Sequence, residues 1–528
     1  MDKKLITALA LSLGILLLFQ AFTPKKQSVK TPLKRTSETT QSFVTREVET
    51  KKTSKDVTAA KETITTIETD KYTLSFSDIG AGIKKIALKG FIEDGKEHVL
   101  YSAKEGEKDL LVTSGGILAG TEKEKFTLKK KNSAIEYTFE EPGLVAIKKT
   151  YTFHNTFNQM TLDVEIKNLS AKNRSLFYSI EGPTKLDVTT SIAGRNFDET
   201  DVLIDGNVWK IKKLKEQQEK KGEITWVGTK NRYFALIAKP MEAPSAVVAT
   251  PEGNKKISTS IISQEYQMFP GESIENRYLI YAGPLDQKNL EQTGYQMSKM
   301  IDYGIFGVVS KKLLLILRFF HKISRNWGVA IILLTLLINL ILFPLTFKSF
   351  SSMQKMKQVQ PHIQKLRDLH KDNPQKLNKE TMELYKQHNV NPLGGCLPML
   401  LQMPIFIALY QGLMRSVELK GAHFLWIKDL AKPDGVQIPF SLPLLGDHIN
   451  ILPLLMVGMM VVQQRITQAI TPATGSGEQA KQQKTMMLMM PIFFGFLFYK
   501  MPSGLVLYWL TNTILMTGEQ AFISKKTA

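Results

Sequence analysis

The sequence predicts a large antiparallel β-sandwich followed by a polytopic α-helical membrane domain. Three features carry that prediction. Between about residues 70 and 284, apolar and polar residues alternate in one short run after another, with Gly, Pro and Asn between the runs. That is the pattern of half-buried antiparallel strands. Residues 301–528 hold nearly all of the long apolar runs. The chain also opens on two lysines and an apolar run over residues 5–22, close to the ~20 residues that cross a bilayer.

Average composition describes neither part. The chain of 528 residues is 43% hydrophobic overall, yet residues 24–300 are rich in Lys, Thr, Ser and Glu. A net charge of +20 invites a nucleic-acid reading, but no zinc-finger spacing, ribonucleoprotein strand or helix-turn-helix pattern accompanies it. Cytoplasmic Lys and Arg that orient membrane segments, and anionic headgroups that attract basic surfaces, account for such a charge without DNA. The single cysteine, Cys396, excludes an intramolecular disulfide and a cysteine-cluster metal site. Beside an apolar run it reads as a small buried hydrophobe.

Taken in order, residues 1–23 read as an uncleaved signal anchor, because no A-x-A-like site follows the apolar run as it would in a cleaved signal peptide. Lys3 and Lys4 place the N-terminus in the cytoplasm and send the next segment across. Residues 24–65 are polar and aperiodic, a disordered tether with too little apolar surface to offset its ordering entropy. Residues 66–300 form the translocated β-sandwich with a C-terminal helix. In TLDVEIKN, Leu162, Val164 and Ile166 alternate with polar residues; Tyr151 and Phe153 do so in KTYTFHN, and Ile135, Tyr137 and Phe139 in AIEYTFE. KIKKLKEQQEKK, residues 210–221, interrupts the pattern as a solvated helix or loop, and DQKNLEQTGYQMSKM reads as helical.

Residues 301–326 come next. At about 100° per residue, Lys311, Arg318, Lys322 and Arg325 fall in one narrow arc and most other positions are apolar, which describes a helix lying in the membrane interface. A tilted span is the other reading, and it would carry that charged stripe through hydrocarbon.

A five-span core is expected over residues 327–522: 327–347, 393–417, 449–468, 485–500 and 504–522. The last two are joined only by Met501-Pro502-Ser503, hence a tight hairpin. With the anchor this gives six spans, both termini cytoplasmic and the β-domain outside. Charge placement agrees: nine Lys and Arg lie between Lys348 and Lys386, and Arg465, Lys481, Lys484, Lys525 and Lys526 fall on the same side. Residues 523–528 form a short cytoplasmic tail. Within 348–391, Met353, Met356, Val359, Ile363, Leu366 and Leu369 recur at helical spacing before Pro374, describing a helical hairpin with one apolar edge.

NWGVAIILLTLLINLILFPLTFKSFSSMQKMKQVQPHIQKLRD, NPLGGCLPMLLQMPIFIALYQGLMRSVELKGAHFLWIKDL and MPSGLVLYWLTN resemble the YidC/Oxa/Alb family of membrane protein insertases, in order and with matching gaps over roughly 200 residues. In that family a span ends in a P-L-T turn and an M-x-K-M…Q-P-x-I helix follows. The anchor, tether and large β-domain resemble the type found in bacteria with two membranes; ITWVGTKNRYFALIAKP and YLIYAGP are looser matches. The resemblance implies an inner-membrane, multi-pass insertase and foldase with its large domain in the periplasm. It implies no cofactor or metal and no covalent chemistry. It further implies as partners nascent membrane proteins, the Sec translocon (SecYEG, SecDF), membrane lipids and, weakly through the cytoplasmic loops, the ribosome.

It also implies a polar groove within the bilayer, closed on the far side. Thr335 and Asn339 share one helix face, Gln402 lies mid-span with Phe406 and Tyr410, and Tyr508 and Asn512 share a face beside Trp509. Gln463 or Gln464 adds a polar group near the inner end of a fourth span. Interhelical hydrogen bonding at roughly 1 kcal/mol each is the bland role for such residues. One position departs from the family pattern: where an arginine usually stands five residues before the proline of the P-L-T turn, this chain has Asn339 before Pro344. A charge-attraction step for acidic segments is therefore not expected. The hairpin residues Met353, Met356, Ile363 and Leu366 read either as a self-packed cap that fixes topology or as a mobile cap that receives nascent segments. The methionines of TMMLMMP read mostly as core filler.

Other function classes fit less well. A solute transporter predicts an inverted repeat, which is not seen. An anchored periplasmic enzyme leaves the insertase-like motifs unexplained. The β-domain resembles sugar-binding supersandwich folds, but no motif brings His98 and His154 together, and fold does not carry function. H-x-x-x-H, G-x-S-x-G and Walker patterns are absent.

Overall fold

A computed structural model describes residues 61–527 apart from 94–95, 105, 132, 155–157, 187–196, 212, 253–255, 371–372, 389–396, 443–445 and 471–477. The expected anchor at 1–23, most of the expected tether and Cys396 lie outside the described residues. The first strand starts at Ile64, so the ordered domain begins inside the segment read as tether.

The strands follow in chain order: β1 (Ile64–Glu68), β2 (Tyr72–Ser77), β3 (Ile83–Glu93), β4 (Lys96–Ser102), β5 (Thr113–Ser114), β6 (Thr127–Lys130), β7 (Ala134–Glu141), β8 (Val145–His154), β9 (Gln159–Asn168), β10 (Arg174–Leu176), β11 (Ser179–Glu181), β12 (Glu199–Ile204), β13 (Asn207–Ile211), β14 (Gln218–Lys220), β15 (Ile224–Lys230), β16 (Phe234–Pro240), β17 (Ala246–Glu252), β18 (Lys256–Ile262), β19 (Tyr266–Met268) and β20 (Ser273–Pro284). A nine-stranded sheet runs β13-β12-β15-β16-β20-β9-β8-β7-β6, a five-stranded sheet β14-β17-β18-β11-β5, and β1–β4 form a meander. Their pairings are antiparallel. Period two produces this directly. On β9, Met160, Leu162, Val164 and Ile166 point inward and are fully buried, and Tyr151 and Ile147 of β8 sit opposite Leu162 and Ile166 on the same face.

The charged stretch 210–221 is neither a helix nor a plain loop: it ends β13 and contains β14, whose Gln218, Glu219 and Lys220 pair with Ala249, Val248 and Val247. All three β14 residues are exposed. An edge strand carrying charges needs no apolar period, because one side pairs and the rest meets water.

Among the described residues eight α-helices follow from Gln287 onward: α1 (Gln287–Thr293), α2 (Gly307–Ser324), α3 (Trp327–Leu369), α4 (Pro374–Gln387), α5 (Leu397–Met414), α6 (Ile451–Ile470), α7 (Glu478–Phe498) and α8 (Ser503–Thr527). Asn326 starts α3 by accepting from the Gly328 and Val329 amides, the usual work of an N-cap. The P-L-T sequence is not a turn. α3 runs 43 residues straight through Pro344 and Pro361. Proline there removes one N–H, and the hydroxyl of Thr346 donates to the nearby Leu342 carbonyl at 2.8 Å. What Pro344 leaves without its helical donor is the Leu340 carbonyl, a single loss that membrane helices tolerate. Among the described residues, Trp327–Met356 is the one stretch long and apolar enough to cross a membrane by length and composition. α8 likewise continues to Thr527, since ISKKT holds no breaker and Ile523 is buried against Phe350 and Met353.

The helices alternate in direction. Asn450, just before α6, donates to the Tyr499 carbonyl just after α7 at 2.7 Å. Ser503 at the start of α8 donates to the carbonyls of Asp429 and Lys432 in the loop after α5. The starts of α6 and α8 thus lie with the ends of α5 and α7, beside the β-domain. α2 packs Ser310, Leu313, Leu314 and Leu317 inward and leaves Val308, Leu315, Phe319 and Ile323 exposed. Arg318 of its charged arc pairs with Glu418 at 2.7 Å, and Lys311 lies over the Tyr303 ring.

Candidate functional site

α3 and α8 lie side by side in a fixed register. Asn339 donates to the side chain of Asn512 at 3.0 Å, an offset of 173 residues. Ile331 packs on Gly504 and Phe350 on Ile523, and both pairs keep that offset (504 − 331 and 523 − 350). The same register sets Thr335 opposite Tyr508. Parallel helices with contacts stepping by three, four or seven residues hold such a register over several turns. Gly504 permits the approach, since a Cβ there would stand 3.1 Å from the Leu430 carbonyl and 3.3 Å from Ile331.

α5 completes a three-helix junction. Gln402 donates to the Tyr508 hydroxyl at 2.6 Å and to the Asn512 side-chain oxygen at 3.3 Å. One amide oxygen therefore serves two helices, Asn339 of α3 and Gln402 of α5. Asn339 also donates to the Thr335 carbonyl at 2.9 Å. The Thr335 hydroxyl turns back to the Ile331 carbonyl at 2.7 Å, so its side chain stays outside the junction. Thr335 and Tyr508 are fully buried, Asn339 and Asn512 nearly so, while Gln402 is half-buried.

Phe406, one helical turn from Gln402 toward the β-domain, packs edge-on against Trp509 at 4.7 Å between ring centres. Trp509 also meets Phe494 and Phe498 at 5.3 and 5.2 Å, and Phe406 meets Tyr410 at 6.3 Å. A wall of aromatic rings therefore stands on the β-domain side of the polar junction. Sequence reasoning passed over Thr346 and Glu519, which extend the polar stripe of α3 and α8 away from the β-domain, and the Thr467–Gln520 hydrogen bond (3.0 Å) between α6 and α8. The signal was present: Glu519 stands seven residues, two turns, beyond Asn512.

In the hairpin, Met353 is buried with Phe350 against Ile523 of α8. Ile363 and Val359 form a second cluster, with Met356, Leu384 and Tyr385 packed on it. Leu366 is half-buried and Leu369 exposed. Among the described residues no group of three or more His, Cys, Asp or Glu is placed to hold a metal ion. His98 is buried and stacked on Phe234, whereas His154 is exposed at the end of β8.

A turn of the β-domain reaches into this core. Asn231 accepts from the Tyr233 and Phe234 amides, forming an Asx-type turn that aims Arg232 out of the hairpin β15–β16. Arg232 is 1% exposed. Its guanidinium donates to the Met414 carbonyl at the end of α5 and, at 3.3 Å, to the Ala431 carbonyl. A cation fits the negative end of the α5 dipole. Burial lowers the Arg232 pKa while Tyr233 and Asp429 oppose that shift.

The description "YidC periplasmic domain" matches residues 64–316 and "60Kd inner membrane protein" matches residues 319–528. The membrane protein insertase YidC of Citrifermentans bemidjiense is 35% identical over 88% of this chain and 86% of its own length. That of Syntrophus aciditrophicus is 30% identical over the whole of both chains. A crystal structure of an active YidC insertase, 20% identical, aligns with 87% of this chain and 94% of its own at a TM-score of 0.36. The chain belongs to the YidC family of membrane protein insertases.

Proposed function

We propose that this insertase passes polar segments of nascent membrane proteins along the α3–α5–α8 seam, with Asn339, Gln402, Tyr508 and Asn512 as the groups a segment meets. The single observation that supports this most is the shared amide of Asn512. A self-satisfied network in an apolar surround is a set of donors and acceptors available for exchange, and each exchanged bond removes part of the desolvation cost of a polar backbone. Phe406 and Trp509 close the path toward the β-domain, and Thr335 shapes it through its backbone carbonyl.

The topology that goes with this reading has six spans: the anchor at 1–23 and the spans in α3, α5, α6, α7 and α8. α2 lies in the interface, both termini are cytoplasmic and the β-domain is periplasmic, in the bacterial inner membrane. The alternating helix directions support it. The hairpin 348–391 then faces the cytoplasm, where Met353, Met356, Ile363 and Leu366 give it an apolar edge for receiving segments and its lysines give a weak, salt-sensitive contact with the ribosome. Larger substrates pass with the Sec translocon.

Asn339 supplies hydrogen bonds and no charge, so the wild type does not favour acidic translocated tails and Asn339→Arg does. Insertion of one substrate with acidic or neutral tails into vesicles holding either protein tests this. A wild type that prefers acidic tails as strongly as the variant would overturn the charge-free mechanism.

A further inference from the structure

Beyond the junction, the polar stripe ends in a carboxylate. Asn512 and Glu519 are seven residues apart on one face of α8, about 10 Å along the axis. Asn339 and Thr346 are the same step apart on α3, and Glu519 stands beside Thr346 at the seam's offset (519 − 346 = 173). The Thr346 hydroxyl turns its proton to the Leu342 carbonyl. Oε2 of Glu519 is buried with no hydrogen-bond partner. No basic side chain among the described residues forms an ion pair with Glu519. Phe350 and Ile523 then close the seam with an apolar contact.

A buried carboxylate oxygen without a donor is costly, and among the described residues of this stripe it is the one group that is negative when ionised, with no basic side chain paired to it. We infer that Glu519 is a specificity-determining residue: it receives a Lys or Arg on the flank of an inserting segment, on the side that stays away from the β-domain. This rests on the seam being the insertion path. Basic flanks are the residues retained on the cytoplasmic side, so an acid at that end of the seam holds such a flank while the rest of the segment moves on. The shape of the site agrees. Glu519 lies just inside the Phe350–Ile523 contact, so a segment entering from that end meets it before the amide junction.

The test uses the full-length protein in phosphatidylcholine vesicles, which offer no anionic lipid to compete for the flank. Two single-span substrates differ only in a Lys-Lys or Gln-Gln flank, and the protease-protected fraction is read. Wild type inserts the lysine-flanked substrate about fivefold better, the scale of one partly exposed ion pair. Glu519→Gln brings the ratio to one, Glu519→Asp keeps it, and Glu519→Lys transfers the preference to a Glu-Glu flank. An unchanged ratio in Glu519→Gln, or an equal loss for both substrates, would overturn the role of Glu519 while leaving the seam as the path. Failure of every protein to exceed protein-free vesicles would overturn the path itself, and the inference with it.

Discussion

Replacing Arg232 by methionine tests whether the β-domain is bolted to the helical core. The change keeps an unbranched stem of similar bulk and removes the guanidinium, which donates to Met414 and Ala431 carbonyls. Hydrogen bonds from a charged donor contribute about 1.5–3 kcal/mol each, so two amount to about 3–6 kcal/mol. Against this, the variant no longer buries an ion, which recovers part of a desolvation cost of several kcal/mol. The expected net loss is about 2–4 kcal/mol, centred on the loop and helix end that accept from the guanidinium, since on the β-domain side it only lies over the Tyr233 and Phe197 rings. At 1.4 kcal/mol per tenfold, roughly 3 kcal/mol raises local opening by about 100-fold. Hydrogen exchange on the protein in nanodiscs reads this at the amides of Leu430 and Gly504, which bond to Ala422 and Leu430 carbonyls across this loop. Faster exchange at those amides, with β8 and β9 unchanged, is the expected result. Unchanged protection in residues 417–435, or a uniform change throughout the chain, would refute the bolt.

Lys149 in the β-domain is fully buried with its ammonium on the Gly80 and Leu111 carbonyls at 2.8 and 3.0 Å. Burial, opposed by Asp109, pulls its pKa to about 7 from 10.5. The unfolded chain then binds more protons between those values, so this group's contribution to stability rises with pH across that window, by up to about 5 kcal/mol. The difference between wild type and Lys149→Met in urea melts at pH 7 and pH 9.5 reads it; a difference independent of pH would refute it. At Gly412 an added Cβ would stand 2.8 Å from Ser310 Oγ and 3.2 Å from Leu314. Gly412→Val is therefore expected to prise α2 from α5 at about 1–3 kcal/mol and to lower the thermal midpoint more than Gly458→Val, where a Cβ meets open space. Equal midpoints would contradict the packing.

Much of this was legible because it is periodic. The alternation that buries Tyr151 also puts Lys149 two residues earlier on the same inward face, so a buried lysine was readable in KKTYTF. Asn339 and Asn512 were found as polar residues at depth in apolar runs, and their helices do bring them together. What escaped was of two kinds. Pro344 reads as a boundary by local rules, and the helix passes it because proline forfeits only one helical hydrogen bond while the packing of α3 continues on both sides of it. Arg232 reads as a surface cation in a turn, and its partner lies 182 residues away. Glu519 falls between them: its position on the stripe is arithmetic, but near the end of an apolar run an acid reads as a residue reaching for headgroups. Only the register with Thr346 shows it facing inward.

That register has a physical origin at the β-domain end. The loop that accepts Arg232 at Ala431 also holds the start of α8: the amide of Ser503 bonds the Lys432 carbonyl at 2.8 Å and that of Gly504 the Leu430 carbonyl at 2.9 Å. Phe424 of the same loop packs on Gly328, and Asn326, the cap of α3, donates to the His423 carbonyl at 3.2 Å. One loop, residues 422–432, therefore fixes where both α3 and α8 begin. Two parallel helices started from a common point keep whatever offset they start with, because a slip of one residue turns the facing side chains by about 100°. Asn339 meets Asn512, and Glu519 meets Thr346, because Asn326 and Ser503 are pinned to that loop. The β-domain does not touch the polar seam, yet through Arg232 it braces the element that sets the seam's register. The hydrogen bonds deep in the seam thus depend on a contact at its β-domain end, a dependence that neither half of the chain displays when read separately.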